Sequence, residues 1–249
     1  MPKPVLRGRL SLVIPAHNES ANLTRVIPAA LRVLHQLADS FEIVLVDDGS
    51  TDATVGVTRT AMGTEAETKL KLVRHSRKSG YGISVADGLR AATGDWVAFM
   101  DGDGQFDPAD LRVLAGLAAG ADMVAGWRLR RADPWHRKVV SGTFNVLARS
   151  LYGISYRDVD CGFKLLSRPL LEAASPILAR AALLNTELYF KADRSGMVVR
   201  QVGIQHHPRL AGVRSGGRLV PVLRAVRELV RLRRELAREW RPPLKRASR

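Results

Sequence analysis

Two carboxylates and a carboxamide occur at alternate positions after one apolar segment. Asp101, Asp103 and Gln105 follow WVAFM directly and are separated by Gly102 and Gly104. If the chain stays extended there, period-two alternation puts the three polar side chains on one side. Hard divalent cations prefer oxygen ligands, and two carboxylates this close repel each other unless a cation or a proton lies between them. The cluster therefore predicts a divalent metal site, with a solvated acidic turn as the alternative.

Polar clusters also follow three other apolar segments. They are HNES after LSLVIPA, DDGSTD after FEIVLV, and RHSRKSGYG after LKLV. The first would line a nucleotide pocket or only cap the next helix. A carboxylate of the second suits a base ring or ribose hydroxyls, although an Asp-Gly turn before a capped helix has the same composition. The third combines cations with glycines and so favours a phosphate, with a solvated basic loop as the alternative.

A common scaffold has to bring these clusters together. Strand-like segments at 11–16, 41–48, 70–75, 95–101 and 121–126 alternate with helical patterns at 20–38, 52–61, 81–92 and 108–119. Continuous apolar strands that alternate with helices predict a mostly parallel sheet covered on both faces. Ligands bind such sheets beyond the carboxyl ends of the strands, which is where the clusters lie. The sequence therefore predicts an α/β fold with one site at that edge.

The composition limits the class of protein. The 249 residues suffice for one large α/β domain, or for two small lobes that share a core. A net charge of +15 and a pI near 10.9 predict an acidic partner, namely nucleic acid, an anionic membrane surface or a phosphate-rich substrate. The single cysteine, Cys161, excludes an intramolecular disulfide. Because we find neither a run of about 18 apolar residues nor a signal-peptide core, we expect a cytoplasmic protein.

The segment 218–249 is strongly basic. It holds eleven arginine or lysine residues against three glutamates, and apolar residues recur at helical spacing from Leu219 to Trp240. This pattern is typical of a basic amphipathic helix. Such a helix would lie on an anionic bilayer, where each cation near the surface contributes on the order of 1 kcal/mol. The alternative is a stripe that packs on the domain or on a partner chain, such as a membrane protein.

The order of these motifs resembles a known family. IPAHNE, VDDGSTD, the basic glycine-containing loop, GLRAATGDW and MDGDGQFDP occur in that order between about residues 10 and 127. This half resembles the nucleotide-binding half of a family-2 glycosyltransferase with the GT-A fold. GWR, RKVVSGTFN and DVDCGFKLLSR are similar to the dolichyl-phosphate mannosyltransferase and polyprenyl-phosphate glycosyltransferase group. Many members of that group carry membrane-spanning helices after the catalytic domain, and the sequence predicts none here.

The resemblance implies a metal ion and a nucleotide-sugar donor. Asp101, Asp103 and Gln105 would hold Mg²⁺ or Mn²⁺ beside a UDP- or GDP-linked sugar. The other positions expected around the donor are Pro15, Ala16, His17, Glu19, Asp47, Asp48, Arg77, Lys78 and Gly82. A basic loop at 206–218 replaces the late loop that is usual in the family. Its Arg209, Arg214 and Arg218 would close over the diphosphate, with a flexible basic connector as the alternative.

The resemblance also implies an acceptor site, in which Arg128, Arg137 and Ser141 surround a phosphate. A polyprenyl phosphate oxygen is already ionised near pH 7, so a general base is needed only for a hydroxyl acceptor. Asp160 is the first candidate for that base and Glu187 the second, although Glu187 would serve equally as a structural ion-pair partner. The predicted catalytic residues are Asp103, Arg128, Asp160 and Arg214.

The sequence thus predicts an inverting, metal-dependent glycosyltransferase that acts on a polyprenyl phosphate or other lipid acceptor at the cytosolic membrane face. Residues 1–127 would bind the donor, 128–217 the acceptor and 218–249 the membrane. The alternative is a hydroxyl acceptor on a glycan, lipid or small molecule, and a non-catalytic relative stays open. SGYGISVADG only partly follows a dinucleotide-binding pattern, with Val85 at its third glycine position. A nucleic-acid-binding protein is disfavoured, because the basic residues lack interleaved aromatic side chains.

Overall fold

Over the described residues, a sheet of seven strands forms the centre of the protein. The computed structural model describes residues 5–129, 142, 146–179, 183–209, 211 and 222–243. The strands lie in the order β3-β2-β1-β4-β6-β5-β7. Their bounds are Arg9–Ala16 (β1), Ser40–Asp47 (β2), Leu70–Arg74 (β3), Trp96–Met100 (β4), Met123–Arg128 (β5), Phe163–Ser167 (β6) and Val199–Ile204 (β7). The five strands that the sequence predicts are confirmed, each to within two residues at either end.

Strand β6 runs antiparallel to its neighbours in an otherwise parallel sheet. It pairs with β4 and β5 in the antiparallel sense, whereas β1, β2, β3 and β4 pair in parallel, as do β5 and β7. Phe163, at the amino end of β6, lies opposite Met100, at the carboxyl end of β4. The turn that precedes β6 therefore lies at the same edge as the polar clusters.

Helices cover both faces of the sheet, as predicted. In the described parts of the chain they are α1 (Ser20–Leu37), α2 (Thr54–Met62), α3 (Ala66–Lys69), α4 (Tyr81–Ala91), α5 (Leu111–Gly116), α6 (146–152), α7 (Arg168–Ala174), α8 (Leu184–Arg194) and α9 (Val222–Glu239). Helices α1 and α5 contribute to one apolar cluster, and α4, α7, α8 and α9 to another. The helix predicted at 108–119 is shorter: a 3₁₀ turn, Pro108–Asp110, precedes α5.

The apolar stripe of α9 belongs to the core. Leu229, Leu232, Leu236 and Trp240 are all buried. The Tyr152 hydroxyl donates to the Leu229 carbonyl at 2.7 Å, and the Trp240 indole donates to the carbonyl of residue 173 at 2.9 Å. The stripe therefore packs on the domain, which is the alternative that the sequence left open, and it does not face a bilayer. Among the described residues, we find no helix of the length and hydropathy that crossing a membrane requires.

Candidate active site

The loops after β1, β2 and β3 are hydrogen-bonded to one another at the carboxyl edge of the sheet. The backbone N–H of Asn18 donates to the Ser50 hydroxyl at 3.0 Å, and that of Glu19 donates to the Thr54 hydroxyl at 2.9 Å. Gly49 has a positive φ of 68°, and a β-carbon there would lie 2.7 Å from the backbone of Arg77. Only glycine fits so close an approach in this conformation. The first three clusters are therefore brought together as predicted.

Asp48 organises the loop after β3. Its carboxylate accepts hydrogen bonds from the backbone N–H groups of Ser79 at 2.7 Å and Gly80 at 2.9 Å, and it lies 2.8 Å from His75 Nδ1. Burial acts to raise the pKa of Asp48, but these hydrogen bonds outweigh it, so the pKa is lowered. Asp48 is thus ionised and holds the basic loop after β3, which the sequence predicts to bind phosphate.

Asp47 has a comparable structural role. One carboxylate oxygen accepts the Ser50 N–H at 2.9 Å, and the other accepts Arg74 Nε at 3.2 Å. Both Asp47 and Asp48 are buried. The Ser50 contact of Asp47 is that of the turn which the sequence left open as the alternative, whereas the contacts with the segment after β3 were not predicted.

The remaining donor positions lie around these anchors. Pro15 and Ala16 end β1, and Gly82 is buried in the first turn of α4. His17 Nδ1 lies 2.8 Å from the Asp48 carbonyl. Arg77 and Lys78 are exposed, as cations that meet a diphosphate have to be.

Asp101 has an inaccessible oxygen without a hydrogen-bond partner. This atom is Oδ1, and the carboxylate also interacts with the Tyr81 hydroxyl. A β-carbon on Gly162 would lie 2.5 Å from each Asp101 oxygen, so the carboxylate rests on the turn before β6. Burial raises the pKa of Asp101 to about 7, and the negative charge of Asp103 acts in the same direction. Arg128 and Lys164 act in the opposite direction but do not outweigh burial, so an added cation would stabilise the ionised carboxylate.

Asp103 lies close to a cation from the chain itself. One Asp103 oxygen accepts the Gln105 N–H at 3.0 Å, and the other lies 3.5 Å from Arg209 Nη1. Arg209 Nη2 lies 2.5 Å from Glu19 Oε1, and the Arg209 side chain is only 8% exposed. Burial raises the pKa of Glu19, with Asn22 and Arg209 acting against it. Arg209 therefore bridges an expected metal ligand and an expected donor contact.

The segment after β7 is fastened over the acidic turn. The His207 N–H donates to the Gln105 carbonyl at 2.8 Å, and the Gln105 carboxamide donates to the His207 carbonyl at 3.0 Å. Asn22 donates to the Ala211 carbonyl at 3.2 Å. This brings Arg209 to the site, as predicted, and gives it carboxylate partners that the sequence did not indicate.

In the turn after β4, the carboxylate oxygens of Asp101 and Asp103 are suitable ligands for a divalent cation. Asp101 offers its unpartnered Oδ1, and a cation would relieve the repulsion between Asp101 and Asp103. The Gln105 carboxamide nitrogen is engaged by His207. Within the described ranges, no group of three or more His, Cys, Asp or Glu side chains converges. An ion here would need further ligands from substrate or water.

On the acceptor side, Arg128 forms a two-point pair with Asp158. Its Nε lies 2.7 Å from Asp158 Oδ2 and its Nη2 lies 2.5 Å from Oδ1, while the Arg128 N–H donates to Oδ2 at 3.0 Å. Burial acts to lower the pKa of Arg128, but Asp158 outweighs it, so the pKa is raised. The sequence predicts a phosphate at Arg128 and does not indicate the pair with Asp158, which lies two residues before Asp160.

Glu187 is a structural residue. Its carboxylate lies 2.6 Å from Lys191 Nζ, accepts the Leu178 N–H at 2.8 Å and the Ala179 N–H at 2.6 Å, and is fully buried. These partners leave it no role at an acceptor, so of the two candidate bases we retain Asp160. The ion-pair partner of Glu187 is therefore Lys191, which lies one turn later on α8.

Lys164 is a buried cation that the sequence analysis missed. Its ammonium group donates to the carbonyls of Val159 and Cys161 and to the Asn185 side chain, and it is fully buried in β6.

Four predicted residues, Arg137, Ser141, Arg214 and Arg218, lie outside the described residues.

Comparisons with known proteins agree with this geometry. The sequence model of glycosyl transferase family 2 matches residues 11–174. The undecaprenyl-phosphate 4-deoxy-4-formamido-L-arabinose transferase of Aeromonas hydrophila is 31% identical over 165 residues, which are 66% of this chain and 50% of that protein. This chain therefore spans about half the length of that relative.

The polyprenol monophosphomannose synthase of Mycolicibacterium smegmatis is 29% identical over 82% of this chain and 80% of that protein. Among solved structures, glucosyl-3-phosphoglycerate synthase from Mycobacterium tuberculosis, in complex with Mn²⁺, UDP-glucose and phosphoglyceric acid, superimposes with a TM-score of 0.66. It is 23% identical, and the match covers 90% of this chain and 77% of that one. The fold is therefore the GT-A fold.

Proposed function

Because this chain belongs to glycosyl transferase family 2, we propose that it transfers a sugar from a nucleotide-sugar to a polyprenyl phosphate. The observation that carries the proposal is the Asp101–Asp103 pair, which ends β4 where the loops after β1, β2 and β3 meet. Two of the relatives are named for transfer to a prenyl or polyprenol phosphate, which supports this acceptor class.

Asp101 and Asp103 would hold Mg²⁺ or Mn²⁺, the ion type bound with UDP-glucose in the superimposed structure. A divalent ion supplies positive charge against the negative charge that develops on a nucleoside diphosphate leaving group. Both UDP- and GDP-sugars suit this chemistry. Direct displacement would invert the anomeric centre.

The acceptor oxygen would approach from the side of the turn before β6. A phosphate acceptor is ionised near pH 7 and needs cations more than a base. Arg128 lies on that side, held by Asp158. If the acceptor were instead a hydroxyl, Asp160 would be the base, and its removal would stop the reaction.

A donor and acceptor panel tests the proposal. The full chain is incubated with UDP- and GDP-sugars and Mn²⁺, with and without a polyprenyl phosphate, and nucleoside diphosphate release and glycolipid formation are measured. We expect one donor to give acceptor-dependent release. Asp103→Asn should abolish it, whereas the exposed surface variant Asp39→Asn should leave it unchanged. Release that depends on a hydroxyl acceptor and not on the lipid phosphate would contradict the proposed acceptor.

We further propose that the protein attaches peripherally to the cytosolic face of a membrane. The apolar stripe of α9 is buried, so the attaching surface would be the opposite face of the helix. There the exposed side chains of Arg227, Arg231, Arg234 and Arg238 recur at intervals of four, three and four residues and form one row, here called the arginine row. Its span is about 16 Å at 1.5 Å per residue.

Charge is the physical basis of this attachment. Each arginine near an anionic lipid surface contributes on the order of 1 kcal/mol, and screening lengths fall to roughly 3 Å at 1 M salt. Arg231 also pairs with Glu235 at 2.7 Å, which fixes it on the same face. A membrane-protein partner is the alternative occupant of the arginine row.

Vesicle co-sedimentation with charge variants tests attachment. The full chain should pellet with anionic vesicles and be released at high salt. Arg231→Glu/Arg234→Glu should stay in the supernatant while retaining nucleotide binding. The matched control is Arg59→Glu/Arg112→Glu, away from α9. Equal pelleting of both double variants would remove the arginine row from the proposal. A truncation is unsuitable, because α9 completes the core.

A further inference from the structure

Lys164 lies in the middle of the sheet, where a charged side chain is rare. It is the second residue of β6 and pairs with Phe99 of β4 and Ala125 of β5. Its exposed fraction is 0%, and its Nζ lies 5.6 Å from the Phe99 ring and 5.3 Å from the Tyr189 ring. Burying an ammonium group costs free energy unless every proton finds an acceptor.

The three protons of this ammonium have three neutral acceptors. Nζ lies 2.5 Å from the Cys161 carbonyl, 2.9 Å from Asn185 Oδ1 and 3.3 Å from the Val159 carbonyl. A lysine carries three donors and no acceptor, so this set accounts for all of them. Two of the acceptors are backbone carbonyls on either side of Asp160. The contacts therefore fix the peptide group that precedes Asp160 and the one that follows Cys161.

Other contacts hold the same turn, here defined as residues 157–162. The Gln201 carboxamide accepts the Arg157 N–H at 2.9 Å and donates to its carbonyl at 2.7 Å. Arg128 holds Asp158, and Gly162 lies against Asp101. Lys164 is the fully buried cation of this set.

We propose that Lys164 is a positioning residue whose buried ammonium holds the 157–162 turn against the metal-binding end of β4, and that sugar transfer requires this ammonium. The catalytic half of this inference rests on the proposed function. The structural half, the order of the turn, stands independently of any substrate.

The charge state of Lys164 gives the proposal a pH signature. Burial lowers the pKa of Lys164 to about 8. The charged or titratable groups that face it are Asp158, Asp160 and Cys161 on the turn, Arg128 at the end of β5, Asp101 after β4 and Tyr189 on α8. A neutral amine has two protons and a lone pair, so one of the three oxygens would lose its donor above that pH.

Amide hydrogen exchange of the full chain tests the structural half. In Lys164→Met, exchange of peptides covering 157–163 should be faster than in wild type by about tenfold, the loss expected when a buried hydrogen bond is removed. Peptides from α2, distant in sequence, serve as the internal reference. Opening of the turn alone would leave the amine inside the sheet with fewer acceptors and a still lower pKa, so protonation favours the closed turn. In wild type, protection of the turn, corrected for intrinsic exchange, should therefore fall as the pH rises through about 8. In Lys164→Arg, which stays charged, it should not.

Two further measurements keep the test decisive. Asn185→Ala removes one acceptor of the ammonium without removing its charge. The pKa of Lys164 should then fall further, so the turn should lose protection at a lower pH than in wild type. This variant replaces Lys164→Met if the latter fails to fold. The second measurement is steady-state kinetics with the donor and acceptor that the panel identifies as substrates. Lys164→Met should lower kcat by about a hundredfold and leave the KM for the donor unchanged, since misplacement of a reacting group has that order of effect. Lys164→Arg should recover part of it.

The outcomes separate the two proposals. Unchanged exchange at 157–163 in Lys164→Met, or uniform loss of protection across the whole chain, overturns the positioning role whatever the activity. Faster exchange at the turn, in a protein whose wild type transfers no sugar, supports the positioning of the turn and refutes the proposed function.

Discussion

Gly162 and Asp101 are in direct contact, although they are 61 positions apart in the sequence: a β-carbon on Gly162 would lie 2.5 Å from both carboxylate oxygens. This contact joins the turn before β6 to the end of β4. It makes the position of the Asp101 carboxylate depend on the absence of a side chain at residue 162.

Gly162→Ala is therefore expected to displace Asp101. We predict that affinity for a nucleoside diphosphate in Mn²⁺ falls by about tenfold or more, since small misplacements in a site have effects of that order. Isothermal calorimetry measures it. Gly116→Ala, where a β-carbon would meet open space, is the matched control and should bind as wild type does. Equal affinities for the two variants would show that the carboxylate adapts.

Asp103→Ala should abolish metal-dependent nucleotide binding and leave the fold intact. Its carboxylate contributes one hydrogen bond to the Gln105 N–H and a 3.5 Å contact with Arg209, so little core stability is at stake. Calorimetry in Mn²⁺ and thermal unfolding together measure the two effects. A variant that binds nucleotide in Mn²⁺ as tightly as wild type would falsify the metal assignment.

Arg209→Gln should increase the affinity for Mn²⁺ in the absence of nucleotide. Arg209 neutralises Asp103 and Glu19 from within the chain, so it competes with an added cation for the same carboxylates. An ion pair contributes up to about 1 kcal/mol, which predicts roughly a fivefold change. Electron paramagnetic resonance of free Mn²⁺ measures it. The same variant should bind nucleoside diphosphate more weakly if Arg209 also contacts phosphate. Unchanged Mn²⁺ affinity would mean that the ion does not contact Asp103.

His75 makes the stability of the protein depend on pH. Burial acts to lower the pKa of His75, but hydrogen bonds to Asp48 and Asp87 outweigh it, so the pKa is raised. A raised histidine pKa means stabilisation that is complete below about 6.5 and is lost as the pH rises through the folded-state value.

The expected result is a difference between two variants. His75→Gln should lower the free energy of unfolding more at pH 6 than at pH 8.5, by urea denaturation. His35→Gln, half-exposed at the surface, should show a smaller difference. A His75→Gln effect that is equal at both pH values would contradict a charged, paired imidazole.

Glu187→Gln should destabilise the fold far more than it affects nucleotide binding. The change leaves Lys191 buried without its partner, and breaking a buried pair costs about 3–5 kcal/mol. The double variant Glu187→Gln/Lys191→Met should recover part of this loss, as urea denaturation would show. If Glu187→Gln were instead as stable as wild type and inactive, Glu187 would return as a candidate base.

Much of the structure up to residue 129 can be predicted from the sequence. The first four strands are largely apolar runs, and each is followed by a polar cluster, so the edge that carries the site can be deduced without coordinates. Asp101 and Asp103 follow from this reasoning. What their spacing does not show is that Arg209, more than a hundred residues later, lies between Asp103 and Glu19.

The structure of the described residues after 129 is harder to predict, because its strands are short and their pairing is non-local. Strand β6 is five residues long and contains Lys164, whose charge argues against a buried strand. Only its antiparallel direction brings the turn at 157–162 to the site. The sequence does contain one signal for this part of the site, namely two aspartates at alternate positions beside an apolar run. Asp158 and Asp160 precede such a run, just as Asp101 and Asp103 follow one.

The burial of Trp240 also concerns the order in which the protein is synthesised. The second apolar cluster takes side chains from α4, near residue 85, and from α9, as late as residue 240. During translation, at about 5–20 residues per second, the ribosome has to pass residue 240 before this cluster can close. Until then the apolar faces of α7 and α8 stay uncovered on the nascent chain, where chaperones would bind them.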